Sequence, residues 1–208
     1  MPLIKDDKQP TILVPDDSPM TALASVQCLD WLLLPGVPVK ITDQVADEAT
    51  RNPDLPWSAE TCQWITRNVV AGRVAIAYTD TGFDHRQQFD AWVAGGMDQT
   101  LRPRGRNLGE PSILELMRTL ESDARGDNKA IVLVDERQAR RALRTMEANL
   151  DIVSTRAFFR ALTNDYGLND TAAYWRLVLD VIEDMDTRSE SDFNYEAVEL
   201  FRPMLAYG

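Results

Sequence analysis

The sequence predicts an α/β fold: a three-layer α/β/α sandwich around a mostly parallel sheet, followed by a helical C-terminal extension. Three observations carry this expectation. The runs Ile12-Leu13-Val14 and Ala130-Ile131-Val132-Leu133-Val134 are apolar without polar alternation, as strands buried on both faces are. Segments of helical periodicity separate the strand-like runs along the chain. Both runs also stop at acids, Asp16-Asp17 and Asp135-Glu136, and an open parallel sheet binds its ligands beyond the carboxyl ends of its strands.

The elements follow in order. Ser18 and Pro19 read as an N-cap and first helical residue, opening a helix with Met20, Leu23, Ala24, Cys28 and Leu32 on its apolar side. Pro35-Gly36 makes a turn into a short strand, Val37 to Ile41. Asp43 reads as the cap of a helix carrying Val45, Asp47, Glu48 and Ala49, and Ser58 as the cap of another, from Ala59 to Asn68. Arg73 to Tyr78 is a moderate strand signal, and Asp84–Ala94 a helix expected to turn Phe89, Trp92 and Val93 inward. Gly95-Gly96 breaks that pattern before a basic loop containing Arg102, Arg104 and Arg106. Gly109-Glu110-Pro111 opens an apolar helix with Pro111 in its first turn. After the strongest strand, Ala130–Val134, come a helix from Arg137, a brief strand at Ile152-Val153, and a helix from Thr155 to Tyr166 stopped by Gly167. Two units are expected: a domain over residues 10–167 and a helical, acidic extension over 168–208.

Length and composition bound the function. At 208 residues the chain can bury a sizeable core. A net charge of −11 opposes non-specific nucleic-acid binding and suits a protein that collects divalent cations or meets a basic partner. Two cysteines, Cys28 and Cys62, make neither a disulfide framework nor a zinc site and read as small buried residues in a reducing compartment. No apolar stretch approaches a membrane span and no signal sequence is visible, so a cytoplasmic protein without a membrane partner is expected. Neither a P-loop nor a G-x-G-x-x-G fingerprint is present.

Four carboxylates recur at element boundaries: Asp16, Glu48, Glu110, and Asp135 or its neighbour Glu136. Clustered carboxylates repel unless they are protonated or neutralised by a cation. Hard oxygen donors suit Mg²⁺ or Mn²⁺, which activate water and polarise phosphoryl oxygens. Asp17 fits equally a helix-terminus carboxylate stabilised by the dipole.

Taken in order, these segments resemble PIN-domain proteins, a family of Mg²⁺/Mn²⁺-dependent ribonucleases whose largest group is the toxins of type II toxin–antitoxin pairs. The resemblance is carried by Ile12-Leu13-Val14-Pro15-Asp16-Asp17-Ser18-Pro19, by Val45-Ala46-Asp47-Glu48 after a strand, by Gly109-Glu110 opening an apolar helix, by Val134-Asp135-Glu136-Arg137, and by Ile152-Val153-Ser154-Thr155. It covers residues 10–167 and implies a PIN-like fold with Asp16, Glu48, Glu110 and Asp135 as the acidic catalytic site. Asp16, Glu110 and either Asp135 or Glu136 would hold the metal, RNA would be the substrate, and an antitoxin protein a partner. Two departures stand out: Pro111 directly follows Glu110, and the segment 52–107 is longer than in compact members.

The remaining residues divide between site and scaffold. Ser18, Arg102, Arg104, Arg106 and Arg137 flank the acidic positions and are candidate substrate contacts; Arg137, Arg140, Arg141 and Arg144 equally suit a solvated helix face. His85 stands alone without a nucleophile beside it and reads as a surface residue. Trp57, Trp64, Trp92 and Trp175 lie at apolar helical positions and are expected in the core rather than stacking bases. The C-terminal extension fits a helical lid, a partner surface, or self-association into a homodimer. The rival to the nuclease is a PIN-like protein-interaction module with a degenerate site.

Overall fold

The computed structural model describes residues 11–52, 54–103, 107–122, 129–146, 149–169 and 171–187; Arg104, Arg106 and residues 188–208 lie outside these. Five strands, β1 (Ile12–Pro15), β2 (Val39–Thr42), β3 (Val74–Ala77), β4 (Ala130–Leu133) and β5 (Leu150–Val153), form one all-parallel sheet in the order β3-β2-β1-β4-β5. Its flanking helices are α1 (Asp17–Ser25), α2 (Asp43–Thr50), α3 (Pro56–Val70), α4 (Asp80–Ala94), α5 (Gly109–Ser122), α6 (Arg137–Arg144), α7 (Thr155–Tyr166) and α8 (Thr171–Thr187). The expected α/β sandwich is thus present, and its sheet is parallel throughout the described residues.

β1 is the central strand. Leu13 and Val14 are fully buried, as are Val39 and Ile41 on β2 and Val132 and Leu133 on β4. On one side Leu13 is in register with Val39; on the other, Ile12 to Pro15 pair with Ala130 to Leu133. The ladder runs one residue past β1, because Asp16 N–H donates to the Leu133 carbonyl at 2.9 Å, while Val134 N–H donates to Val153 at 2.9 Å. The chain leaves β1 towards β2 and leaves β4 towards β5, so the strand order reverses between β1 and β4. That divergence opens the crevice in which doubly wound sheets place ligands.

Local chemistry moves several boundaries from their sequence positions. Asp16, not Ser18, is the N-cap residue of α1, with extended backbone and no capping bond from its side chain. α1 ends at Ser25 because Gln27 takes a left-handed φ of 56°, and Leu29–Leu33 is a separate 3₁₀ turn instead of a continuation. Thr42 rather than Asp43 caps α2, accepting from Val45 N–H at 3.3 Å. α3 begins at Pro56, two residues before Ser58, with proline in its first turn. α4 starts four residues before Asp84: Thr79 caps it, and the Glu115 carboxylate accepts from Asp80 and Thr81 N–H.

The inward face expected for α4 is not buried. Phe89 and Val93 are exposed and Trp92 only half-buried, because α4 packs on α5 and α2 at the β3 side of the sheet with no further layer over it. Cys62 is likewise exposed on α3, whereas Cys28 is buried. Trp57 and Trp64 do lie in the core, and Trp175 is half-buried with an edge-on contact to Phe159. The described start of the C-terminal segment shares that core. Val178 of α8 is fully buried, and Tyr174 meets Trp31 edge-on at 5.0 Å. Gly167 ends α7 with a φ of 66°, the left-handed stop its position predicts.

Asp43 ties α2 to α4. Its carboxylate accepts from Thr79 Oγ1 at 2.8 Å and pairs with Arg86 at 2.6 Å. Gly82 lies against it so closely that a Cβ there would stand 1.9 Å from Asp43 Oδ2. Glycine to alanine inside a helix ordinarily stabilises. Gly82→Ala is expected to reverse that sign and cost about 1–3 kcal/mol, because the fixed carboxylate must be displaced. Urea unfolding of the variant checks it, and a gain in stability would contradict the close approach.

Candidate functional site

Asp16 leaves the central strand directly at the crevice. It is 7% exposed, and burial pushes its carboxyl up to about 7. The N–H of Asp17 opposes this rise, while the negative charges of Asp17, Glu48 and Glu136 add to it. Asp17, in the first turn of α1, is pushed up to about 6 by burial and by Glu48; Thr21 Oγ1 and the Arg51 charge act in the other direction. Beyond the neighbouring Asp17 N–H, the Asp16 side chain makes no capping bond to α1. The helix-cap explanation therefore does not account for Asp16.

Glu48 projects from α2 and is held in place. Its carboxylate accepts from Leu108 N–H at 2.8 Å and from Gly109 N–H at 3.2 Å. This satisfies free N–H groups ahead of and at the start of α5, where a negative charge is also favoured by the helix dipole. Gly109 is required at that contact. A Cβ there would stand 2.7 Å from Glu48 Oε2 and 3.3 Å from Asp16 Oδ1. The backbone at Gly109 is thus the wedge on which the two carboxylates meet, a role the sequence shows only as a glycine before an acidic helix start.

Glu110 follows in the first turn of α5, half-buried, and its carboxyl is raised by burial and by the Glu136 charge. Pro111 at the next position is exposed and leaves Glu110 within the influence of Glu136. After β4 the two adjacent acids part company. Asp135 accepts from Thr155 N–H at 2.9 Å and, through its other oxygen, from the Thr155 hydroxyl. Both its oxygens therefore anchor the start of α7. Glu136 is exposed and is the acid from this strand end whose charge reaches Asp16 and Glu110. Of the two, Asp135 is tied to the start of α7, and Glu136 is the one whose charge acts on Asp16 and Glu110.

The sequence-predicted site residues thus fall into groups. Asp16, Glu48, Glu110 and Glu136 are electrostatically linked around the β1/β4 divergence, and Asp17 joins them. Asp135 is adjacent but committed elsewhere. Ser18 and Arg137 are exposed at the first turns of α1 and α6, on either side of the crevice. Arg102 is exposed and lies over the Trp92 ring, 5.6 Å from its centroid. Among the described residues, no three His, Cys, Asp or Glu side chains stand in an arrangement that would hold a metal ion as they are. The acids are close enough to repel one another, yet they form no ready cage. No helix of the described residues is long and apolar enough to cross a membrane. Comparison with protein-family models, with curated proteins and with solved structures found no match to this chain.

The electrostatics of Asp16 has a definite consequence for stability. Its native pKa of about 7 lies above the ordinary 3.8, so the folded chain holds a proton that the unfolded chain has released between those values. The Asp16 contribution is therefore fully present below about pH 4 and is lost as pH rises through 7. Asp16→Asn removes the titration while keeping the shape. In chelator, its stability relative to wild type is expected to rise from pH 5 to pH 8, by at most about 3 kcal/mol. Urea unfolding at both pH values measures it, and a difference independent of pH would show that Asp16 is an ordinary carboxylate.

Proposed function

We propose that the chain is a PIN-like, Mg²⁺- or Mn²⁺-dependent endoribonuclease that hydrolyses RNA phosphodiester bonds. The observation that carries this reading is the buried Asp16 carboxylate at the sheet's divergence, which faces other acids and has no cationic partner among the described residues. A carboxylate placed there for structure alone would draw a hydroxyl or a cation from another element, as Asp43 and Asp135 do, whereas Asp16 has only the N–H of its neighbour Asp17. The donor chemistry fits a hard divalent ion, since Asp16, Glu48, Glu110 and Glu136 supply only oxygens. Glu110 and Glu136 make no hydrogen bond or ion pair to a described residue that would compete for them. When bound, the ion would supply an activated water and a Lewis acid for the phosphoryl group.

The protein's own residues then have distinct tasks. Asp16 gives up its proton when a cation offsets the surrounding negative charge. Glu48, fixed by two backbone N–H groups, keeps its charge oriented against Asp16. Glu110 and Glu136 stand at the solvent side, where an RNA strand enters. Arg137 and Ser18 border the crevice and are suited to phosphate contacts. The toxin role and an antitoxin partner rest on the family resemblance alone.

A second reading, a PIN-like interaction module, is favoured by one specific observation: each Asp135 oxygen is tied to Thr155, as in a carboxylate that serves the fold. One experiment separates the two. Labelled RNA is incubated with the protein in chelator, Mg²⁺ or Mn²⁺, and melting is followed in the same buffers. Cleavage is expected only with metal, with Asp16→Asn losing at least about 100-fold of the rate. Saturating metal is expected to raise the wild-type melting temperature more than that of the variant. Absence of both effects would make the interaction module the better reading.

A further inference from the structure

A groove distinct from the acidic crevice lies against α2. It has a volume of about 1120 Å³ and runs between α2 and α4, with Arg102, Pro103 and Asn107 along one edge. Its charges largely cancel within its own walls. Arg51 pairs with Asp47 at 2.6 Å and Arg86 with Asp43 at 2.6 Å, leaving a floor unsuited to a run of phosphates. Two features are left open to a ligand among the described residues. Phe89 meets the Trp92 ring at 5.3 Å and still shows 38% of its surface, although its sequence position marks it for a core. Arg102, on the rim, has no carboxylate partner among the described residues and rests only on the Trp92 ring.

A partly open aromatic ring and a cation with no carboxylate partner among the described residues match one kind of ligand: a flat heterocycle joined to a phosphate. We propose that the groove holds an unpaired base of single-stranded RNA, stacked at Phe89, with its phosphate at Arg102. The identity of the ligand as RNA rests on the nuclease reading above, but the groove's chemistry was found independently of the acids. Stacking on an exposed ring tolerates any base, and Asp90 and His85 in the same wall offer further polar contacts to its edge.

The groove and the crevice are joined through α2. Gln44, Asp47 and Arg51 line the groove, while Glu48 on the same helix turns to Gly109 and Asp16. Asn107 lines the groove, and the next residue, Leu108, donates to Glu48. Arg51 acts on both sides, since its charge also reaches Asp17. A strand seated in the groove would therefore pass over the end of α2 into the acidic crevice, placing the base beside the phosphodiester to be cut.

Binding of a short fluorescein-labelled single-stranded RNA, measured by anisotropy in chelator so that no cleavage intervenes, tests this. Phe89→Ala is expected to weaken binding about tenfold, with Phe89→Trp restoring it. Arg102→Ala is expected to lower the slope of log affinity against log salt by about one. A duplex of the same sequence is expected to bind more weakly, because its bases are not free to enter. Phe89 and Arg102 are exposed, so both variants should keep the fold, which their melting curves verify. Unchanged affinity and slope in the variants, equal binding of the duplex, or no binding by wild type would overturn the groove. RNA cleavage with Mn²⁺ that survives such a result would leave the nuclease reading standing. Phe89-dependent binding without any cleavage would remove the nuclease reading and keep the groove.

Discussion

The pairing of β1 with β4 is the constraint on which the rest of the molecule depends. β1 is buried on both faces and takes parallel partners on both edges, so nothing polar on it has access to water until Asp16. Four registered residue pairs with β4 bring the two acidic strand ends to one level, and the reversal of strand order there pulls the following chains apart. Asp16 caps α1, and α5 arrives with Gly109 against it, where a Cβ would stand 2.7 Å from the Glu48 carboxylate and crowd that of Asp16. The acidic crevice is thus a product of topology first and of side-chain chemistry second.

What sets this crevice apart energetically is the contrast with the molecule's other buried acids. Asp43 is buried to a similar degree but has Arg86, Thr79 and a backbone N–H around it. Asp135 is answered by Thr155. Glu115 is answered by the first turn of α4, which holds it below the ordinary carboxylate range against an opposing effect of burial. Asp16 instead faces like charges, and its proton is the means by which the folded chain tolerates them. The proposed cation would replace that proton. Glu48, anchored by the N–H groups of Leu108 and Gly109, keeps the repulsion from relaxing by simple side-chain rotation.

Much of this was legible in the sequence, and the failures share a cause. The runs Ile12-Leu13-Val14 and Ala130–Val134 announced buried parallel strands because burial on both faces removes polar alternation. The acids after them located the crevice because strand ends have a fixed place in such a sheet. Periodicity misplaced Phe89 and Val93, since it marks an apolar face without saying whether another layer covers it. It also ran α1 through Gln27, where a single left-handed residue ends the helix. Asp135 and Glu136 were indistinguishable because the deciding contact comes from Thr155, 20 residues further on. Gln44 gave no signal of its burial: a glutamine inside a short helix looks solvated, yet it is 2% exposed.

The most direct test of the central claim is the titration of Asp16 itself, followed by carbon-13 NMR of its side-chain carboxyl, with and without saturating Mg²⁺. The account requires a carboxyl that titrates near 7 in the free protein and that is already ionised at lower pH when Mg²⁺ is present, because the cation takes the place of the proton. An Asp16 that titrates in the ordinary range and ignores Mg²⁺ would contradict it.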